Sequence, residues 1–437
     1  MSVKASYAEP ALTVTESRDA LYSRIAWRLM PILFIGYIVA YLDRVNVGFA
    51  KLQMIGDLHF SDSVYGLGAG IFFWGYFFFE VPSNLILHKV GARVWICRVL
   101  VVWGMVSALT AFVSTPFQFY AVRFLLGIAE AGFFPGMVLY LTYWFPSHRR
   151  AKMMALLMAG NPVSGLLGGP LSGFIMRSLD HHSGWAGWQW LFIIEAAPAV
   201  VLGVVVFFYL DDRVATAKWL SPAEKDIVAG EIEAEAQAKT QSSVGSVFVT
   251  GRVWLMCAIL FGIVMGSYAI GFWQPTIIAQ TGIKDPFMVG LLTMVPYGLA
   301  LASMILTGWH ADKTRERRWH VAGPAMMAAC GFLLCTQSGG STTLAIMGLA
   351  LAVAGVVTAL PMFWALPTSF LGGSAAAAGI ALINCTGNLA GFFSPTIIGL
   401  LKDYTGTLTS GLLLVACCLL GSAALILTQV PAKLVNR

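Results

Sequence analysis

Apolar runs of about twenty residues, separated by short clusters of glycine, proline and charge, follow one another along almost the whole chain. A helix rising about 1.5 Å per residue needs roughly 20 such residues to cross the hydrocarbon of a bilayer. Twelve segments meet that pattern: 28–49, 65–87, 94–113, 117–143, 151–176, 189–210, 253–279, 288–309, 321–338, 342–365, 374–400 and 407–429. They are far longer than the roughly ten-residue alternating strands of an outer-membrane barrel. The pattern predicts an all-α membrane protein.

The longest polar stretch, Asp211 to Thr250, falls between the sixth and seventh segments. The expected layout is therefore a tail over 1–27, a six-helix bundle over 28–210, a linker over 211–252, a second six-helix bundle over 253–429 and a tail over 430–437. Inside the linker, Ser221 followed by Pro222 and good helix formers to Ala238 predicts a short surface helix with a serine cap. The halves echo each other: the loop after the second segment, Ser83 to Arg93, and the loop after the eighth, Gly308 to His320, are both compact basic turns. Paired six-helix halves suit alternating access, one half rocking against the other around a central site.

Composition agrees, since 58% of the 437 residues are hydrophobic and 11% charged, against about 25% charged in soluble domains. The polar segment from Met1 to Arg28 precedes an apolar run that is too long and lacks a small-residue cleavage site, so no removable signal peptide is expected. The seven cysteines lie in or beside apolar helices without metal-ligand spacing, and read as packing residues. Neither a metal nor another cofactor is called for.

The net charge of +6 is unevenly placed. If Met1 is cytoplasmic, the inner loops hold Arg24, Arg28, Lys89, Arg93, Arg149, Arg150, Lys152, the basic residues from Arg213 to Arg252, Lys313, Arg315, Arg317, Arg318, Lys433 and Arg437. The outer side has only Lys51, Arg177, Lys284 and Lys402. This asymmetry predicts cytoplasmic termini and accounts for the charge without a nucleic-acid partner.

The two basic loops, together with Tyr41-Leu-Asp-Arg-Val-Asn-Val-Gly48, Glu80-Val-Pro-Ser-Asn84 and Arg123-Phe-Leu-Leu-Gly-Ile-Ala-Glu-Ala-Gly-Phe-Phe-Pro-Gly136, resemble the anion:cation symporter family of the major facilitator superfamily. The likeness runs from about Arg24 to the last helix and is nearest the bacterial tartrate, phthalate, galactonate and hydroxyphenylacetate permeases. It implies the two-bundle major facilitator fold in a bacterial inner membrane, a small organic anion as substrate, and gating through Lys89, Arg93 and Asp312. His88 and Lys89 stand where the superfamily loop usually has an Asp-Arg pair, so only Asp312 keeps the acidic gate residue.

Ionisable groups at membrane depth cost several kcal/mol on insertion scales and persist where they pair or line a pathway. The chain keeps Asp43, Arg44, Glu80, Arg123, Glu130 and Glu195. Helix rise puts Asp43 roughly 22 Å above the inner end of the first segment and Arg123 roughly 9 Å below the outer end of the fourth, so that the two are expected to pair. Glu130, seven residues after Arg123, shares its face near the midplane.

An arginine offers a planar fork to a carboxylate, while a carboxyl in a low-dielectric cavity can load a proton near neutral pH. Arg44 is the candidate substrate clamp; Asp43 and Glu130 are candidate proton carriers, with Arg123 switching between them, and the family resemblance implies the same roles. Glu80 and Glu195 read as structural or gating residues. Tyr41, Tyr76, Asn161, Asn384 and Asn388 are the neutral polar groups expected around the cavity. Gly165, Gly169, Gly173, Gly387 and Gly391 read as close-packing positions.

No His-Glu-x-x-His, Gly-x-Ser-x-Gly or phosphate-binding loop is present, so a transporter is expected rather than an enzyme. A receptor of the same shape would carry bulky replacements along the cavity, and none stand out. The expected activity is proton-coupled symport of a small organic anion, such as a sugar acid, tartrate or aromatic carboxylate, by a monomer in the lipid bilayer, with protons the only coupling ion. Sodium-coupled anion transport and drug efflux by the same fold are the alternatives.

Overall fold

A computed structural model describes residues 14–238, 250–369 and 373–435. Parts of the two expected tails and of the linker, at 1–13, 436–437 and 239–249, lie outside the described residues. The described chain is helical, with no strand among the described residues. The first span is α1 (Val14–Val45) continued by α2 (Val47–Leu58), the second α3 (Asp62–Val90) and the third α4 (Ala92–Leu109). The fourth is split into α5 (Pro116–Glu130) and α6 (Phe133–Thr142), the fifth into α7 (Ser147–Met158) and α8 (Gly160–Ser178), and α9 (Gly187–Tyr209) is the sixth. After the linker helix α10 (Pro222–Ala238) come α11 (Gly251–Ala279), α12 (Pro286–Thr314), α13 (Arg318–Thr336), α14 (Thr342–Phe363) with the short α15 (Ala365–Thr368), α16 (Gly373–Thr405) and α17 (Thr409–Gln429); α18 (Ala432–Val435) closes the chain.

Among the described residues, ten helical segments are long and apolar enough to cross a membrane. The fifth and eleventh spans, Ser147–Ser178 and α16, are the two that miss the criterion, and they occupy equivalent places in the two halves. Their glycines, serines and asparagines lower their hydropathy because they face the other half rather than lipid. α8 lies along α12, α16 along α3, and α2 against α11, so these three pairings join the halves. A side chain at Gly169 would run into Thr293 and the Gly290 carbonyl, and one at Gly173 into the Pro286 carbonyl. Gly391 similarly admits the Phe73 ring.

The halves close on each other at the end away from Val14 and Gln429. Lys51, expected in an outer loop, is instead inside α2 and only 4% exposed. The helix continues past it because the ammonium is partnered: its Nζ lies 2.7 Å from Asp62 Oδ1 and 3.5 Å from the centre of the Trp273 ring. Lys402 of α16 reaches the other oxygen of Asp62 at 2.8 Å. Asp403 in turn accepts from the backbone N–H groups of Asp62 and Ser63 at 3.1 and 2.8 Å, which satisfies the free donors at the start of α3. Tyr65 donates to the Phe272 carbonyl at 2.8 Å, and Arg177 pairs with Asp285 at 3.2 Å.

The expected linker helix is α10. Ser221 Oγ accepts from Glu224 N at 3.4 Å while Glu224 Oε2 accepts from Ser221 N at 2.8 Å, a reciprocal cap. The Ser221 N–H and the Arg24 guanidinium hold the Glu224 carboxyl below its ordinary pKa. The acidic face of α10 docks on the first half: Glu231 pairs with Arg18 at 3.2 Å, and Glu235 with Arg150 at 2.9 Å.

Candidate transport site

Between the halves a cavity of about 740 Å³ runs from mid-depth towards the end that bears the termini. Its inner reaches are lined by Met154, Met362 and Thr368, all near that end of their spans. Arg44, Tyr41, Tyr76, Asn161, Asn384 and Asn388, the six residues expected to meet substrate, all line it. Glu130 lines it too, whereas Asp43 and Arg123 lie behind the wall, fully buried. Asn384 and Asn388 present one face of α16 because they are one turn apart.

The fourth span places Glu130 at a break. Glu130 is the last residue of α5; Ala131 leaves the helix and Gly132 has φ +86°, a left-handed conformation that glycine adopts without strain. A side chain at Gly132 would also collide with Ser83. The carboxyl therefore stands at a helix C-terminus, where a cation is favoured. Arg44 Nη2 supplies it as an ion pair with Glu130 Oε1, while the guanidinium lies 5.4 Å from the ring centres of both Phe72 and Tyr76. Arg44 Nε and Glu130 Oε2 have no partner, so both groups keep a free polar atom beside the cavity.

Asp43 is held differently. The expected pair with Arg123 is not formed, because neutral donors satisfy the carboxylate: Trp103 Nε1 at 2.8 Å, Asn46 Nδ2 at 3.4 Å, and the Ser107 hydroxyl. Arg123 Nε donates to the Gly68 carbonyl at 3.4 Å, its guanidinium sits 5.2 Å from the Phe72 ring centre, and its two terminal nitrogens have no hydrogen-bond partner. The buried guanidinium thus keeps free donors while two carboxylates act on it, Asp43 from α1 and Glu130 from two turns along its own helix.

Several lining residues carry no signal in the sequence. Tyr37, Ser267 and Tyr268 belong to the wall, and Tyr268 stacks on Phe272 at 6.0 Å and meets Phe73 edge-on at 4.5 Å. Tyr297 lies beside Tyr41. The expected gate residues stay apart: Asp312 pairs with Arg317 at 3.0 Å within its own loop, the Arg93 backbone N–H donates to Asp212 at 2.8 Å, and Lys89 is exposed at the end of α3. Glu80, 7% exposed, has Cys385 Sγ as a weak donor at 3.9 Å.

A bundle of two six-span halves, with a largely apolar cavity between them that bears one arginine and one carboxyl, has the architecture of a membrane transporter. The chain belongs to the Major Facilitator Superfamily, whose family model matches residues 33–395. It is 50% identical over 402 residues to an Agrobacterium vitis protein named for tartrate transport, covering 92% of each chain. It is 47% identical to the Pseudomonas putida protein named for metabolite transport, NicT, covering 97% of both, and 39% identical to a quinolone resistance transporter of Acinetobacter baumannii, covering 93% of both. The fold is also that of the xylose transporter XylE of Escherichia coli in a partially occluded inward-open conformation, with a TM-score of 0.74 at 14% identity over 93% of this chain and 98% of that one.

Proposed function

We propose that the protein imports a small organic anion together with protons, by alternating access, in a bacterial inner membrane with both termini cytoplasmic. The observation that carries the reading is the Arg44–Glu130 pair on the wall of the central cavity. A substrate carboxylate and the Glu130 carboxylate compete for one guanidinium. A proton on Glu130 releases Arg44 to take the substrate in a forked contact, so anion binding and proton loading favour each other. Loss of that proton at the inner end restores the pair and expels the anion. Asp43 is the second proton carrier, and Arg123, with its free donors, is the group that answers to the charge of both. In this orientation the cavity opens to the cytoplasm and the Lys51–Asp62–Lys402 cluster closes the outer end.

The lining narrows the substrate. Arg44 is the one cation on the described wall, and much of the rest is Tyr37, Tyr268, Phe133, Phe134, Met154 and Trp364. One guanidinium matches one carboxylate, and aromatic and methionine walls suit an apolar or aromatic body. A monocarboxylate with a ring therefore fits this wall better than a dianion such as tartrate. Lys89, Arg93 and Asp312 are proposed to meet partners across the inner end when it closes.

Export of an aromatic amphiphile is the second reading, favoured by the same apolar wall and by the relative named for quinolone resistance. The test is a thermal-shift screen of the purified protein with aromatic monocarboxylates, sugar acids and tartrate, followed by proteoliposome flux of the best-stabilising acid under opposed pH and sodium gradients. Accumulation driven by an acid exterior supports import. Sodium-driven accumulation, or flux only against the proton gradient, overturns it.

A further inference from the structure

One buried carboxyl has no part in the cycle above. Glu195, in α9, is 5% exposed. Its Oε1 accepts the Ser172 hydroxyl at 2.6 Å, and its Oε2 has no partner. Between it and Asp43 stands Asn46, 1% exposed, whose Nδ2 donates to Asp43 and whose Oδ1 is also unpartnered. Asn46 and Ser172 both line a second, small cavity of about 20 Å³ between the halves, walled by Gly169, Thr293 and Gln274. Gln274, 2% exposed, has a free Nε2. A water needs about 10–15 Å³ of such space and two to four polar partners. The cavity meets both conditions, with an acceptor on Asn46, a donor on Gln274 and the Ser172 hydroxyl.

This second cavity lies at the contact of α2, α8, α11 and α12, on the side of Asp43 that faces the closed end. It is separate from the substrate cavity, with which it shares no lining residue, and neither Glu195 nor Asp43 lines it directly: Ser172 joins it to Glu195 and Asn46 to Asp43. The charged surroundings of Glu195 are sparse. Asp43 is the ionisable group acting on it, and Arg123 and Glu130 act on Asp43 from the fourth span. Asp57 of α2 is engaged by Trp188 Nε1 at 2.8 Å, about two turns, or roughly 10 Å, along α9 from Glu195. Lys51 faces Asp62. From α4 the facing groups are the neutral Trp103 and Ser107, and from α8 Ser172.

We propose that Glu195 is a further proton-holding site, filled from the end opposite the termini through this second cavity and the Ser172 hydroxyl that lines it. When that end opens, a hydronium ion in the cavity gives its proton to Ser172 Oγ and leaves as water, while the Ser172 hydroxyl passes its own proton to Glu195 Oε1. Glu195 becomes the neutral acid, Ser172 is restored, and one proton has moved with no other bond changed. Asn46 stands between the two carboxyls and carries no proton itself. A proton on Glu195 removes the negative charge that acts on Asp43, so the two sites are coupled by charge. Its use rests on the proton-coupled reading; its ability to bind a proton does not.

The test is infrared difference spectroscopy of the full chain in lipid nanodiscs, titrated from alkaline to acid pH, with wild type, Glu195→Gln and Ser172→Ala. Glu195→Gln should lose one protonated-carboxyl band, and the proton uptake counted over the same titration should fall by one. Ser172→Ala, which keeps the carboxyl and removes its donor, should retain the band with a shifted midpoint. Superimposable titrations of wild type and Glu195→Gln overturn the proposal and make Glu195 a packing residue. Should Glu195→Gln not fold, an unshifted Ser172→Ala band has the same force. A band that responds to replacing potassium by sodium at fixed pH would also overturn it, by making the site one for a metal cation. If the band titrates while no organic acid is taken up in the flux screen, the fault lies with the import reading and not with Glu195.

Discussion

Replacing Asp62 with asparagine removes the charge that two lysines share at the closed end. Asp62 and Lys51 belong to the first half and Lys402 to the second, so the 2.8 Å contact to Lys402 exists only while this end is shut. The side chains of Asp62 and Lys402 are 19% and 16% exposed, and that of Lys51 is 3% exposed. Breaking a fully buried pair costs about 3–5 kcal/mol because a charge is left alone. Partial exposure screens the Lys402 contact, which leaves about 2 kcal/mol for the portion that depends on closure. At about 1.4 kcal/mol per tenfold, this shifts the balance of the two conformations roughly 30-fold towards the one open at this end. The Asp62→Asn variant keeps the backbone N–H that Asp403 accepts, so the helix start is preserved. Spin labels at Gly56 and Thr407, exposed positions on opposite halves at this end, would report the change by pulsed electron–electron resonance. The long-distance component should grow in Asp62→Asn, with little loss of melting temperature. An unchanged distance distribution would refute the idea that this cluster holds the halves together.

Arg44→Lys keeps the charge but loses the fork, and with a charged hydrogen bond worth about 1.5–3 kcal/mol it should weaken binding of the best-stabilising acid roughly 10- to 100-fold; unaltered affinity in a thermal-shift titration would remove Arg44 from the site. Two glycine substitutions should separate packing within a half from packing between halves. Gly127→Ala places a methyl against the Phe72 carbonyl and the Tyr76 nitrogen of the same half, and overpacking of about 1–3 kcal/mol should lower the melting temperature in every conformation. Gly169→Ala meets Thr293 and Gly290 of the other half, so it should enlarge the long-distance component of the Gly56/Thr407 pair instead. The reverse result would mean that α8 and α12 stay in contact throughout the cycle.

The spans are legible in the sequence because membrane depth imposes one strong rule, long apolar helices, and the chain obeys it with few charged residues inside them. Arg44, Glu130, Tyr41, Tyr76, Asn161, Asn384 and Asn388 stand out against apolar neighbours, and they do converge on one cavity. The misses have the same physical source. Lys51 reads as a loop residue because its partners, Asp62 and the Trp273 ring, come from two other helices. Depth alone points Asp43 to a charged partner, yet Trp103 and Ser107 are neutral donors whose helical phase relative to Asp43 is a matter of tertiary packing. The break after Glu130 is hidden because nothing in the sequence marks Gly132 among 45 glycines, and its positive φ inside a membrane span is visible only in the folded chain. Ser267 and Tyr268, contributed by the second half, are ordinary residues of a membrane helix until the fold turns them inwards.

The most direct measurement of the coupling concerns Glu130→Gln. The amide keeps the shape of a protonated carboxyl and cannot release a proton, so Arg44 stays free for the anion and the empty carrier lacks the charge that resets it. In proteoliposomes, accumulation of the best-stabilising acid against its gradient under an acid exterior should be abolished. Exchange of internal for external acid should persist, because exchange needs only the loaded carrier to reorient. Accumulation at the wild-type level in Glu130→Gln would contradict the account and take the coupling proton away from the Arg44–Glu130 pair.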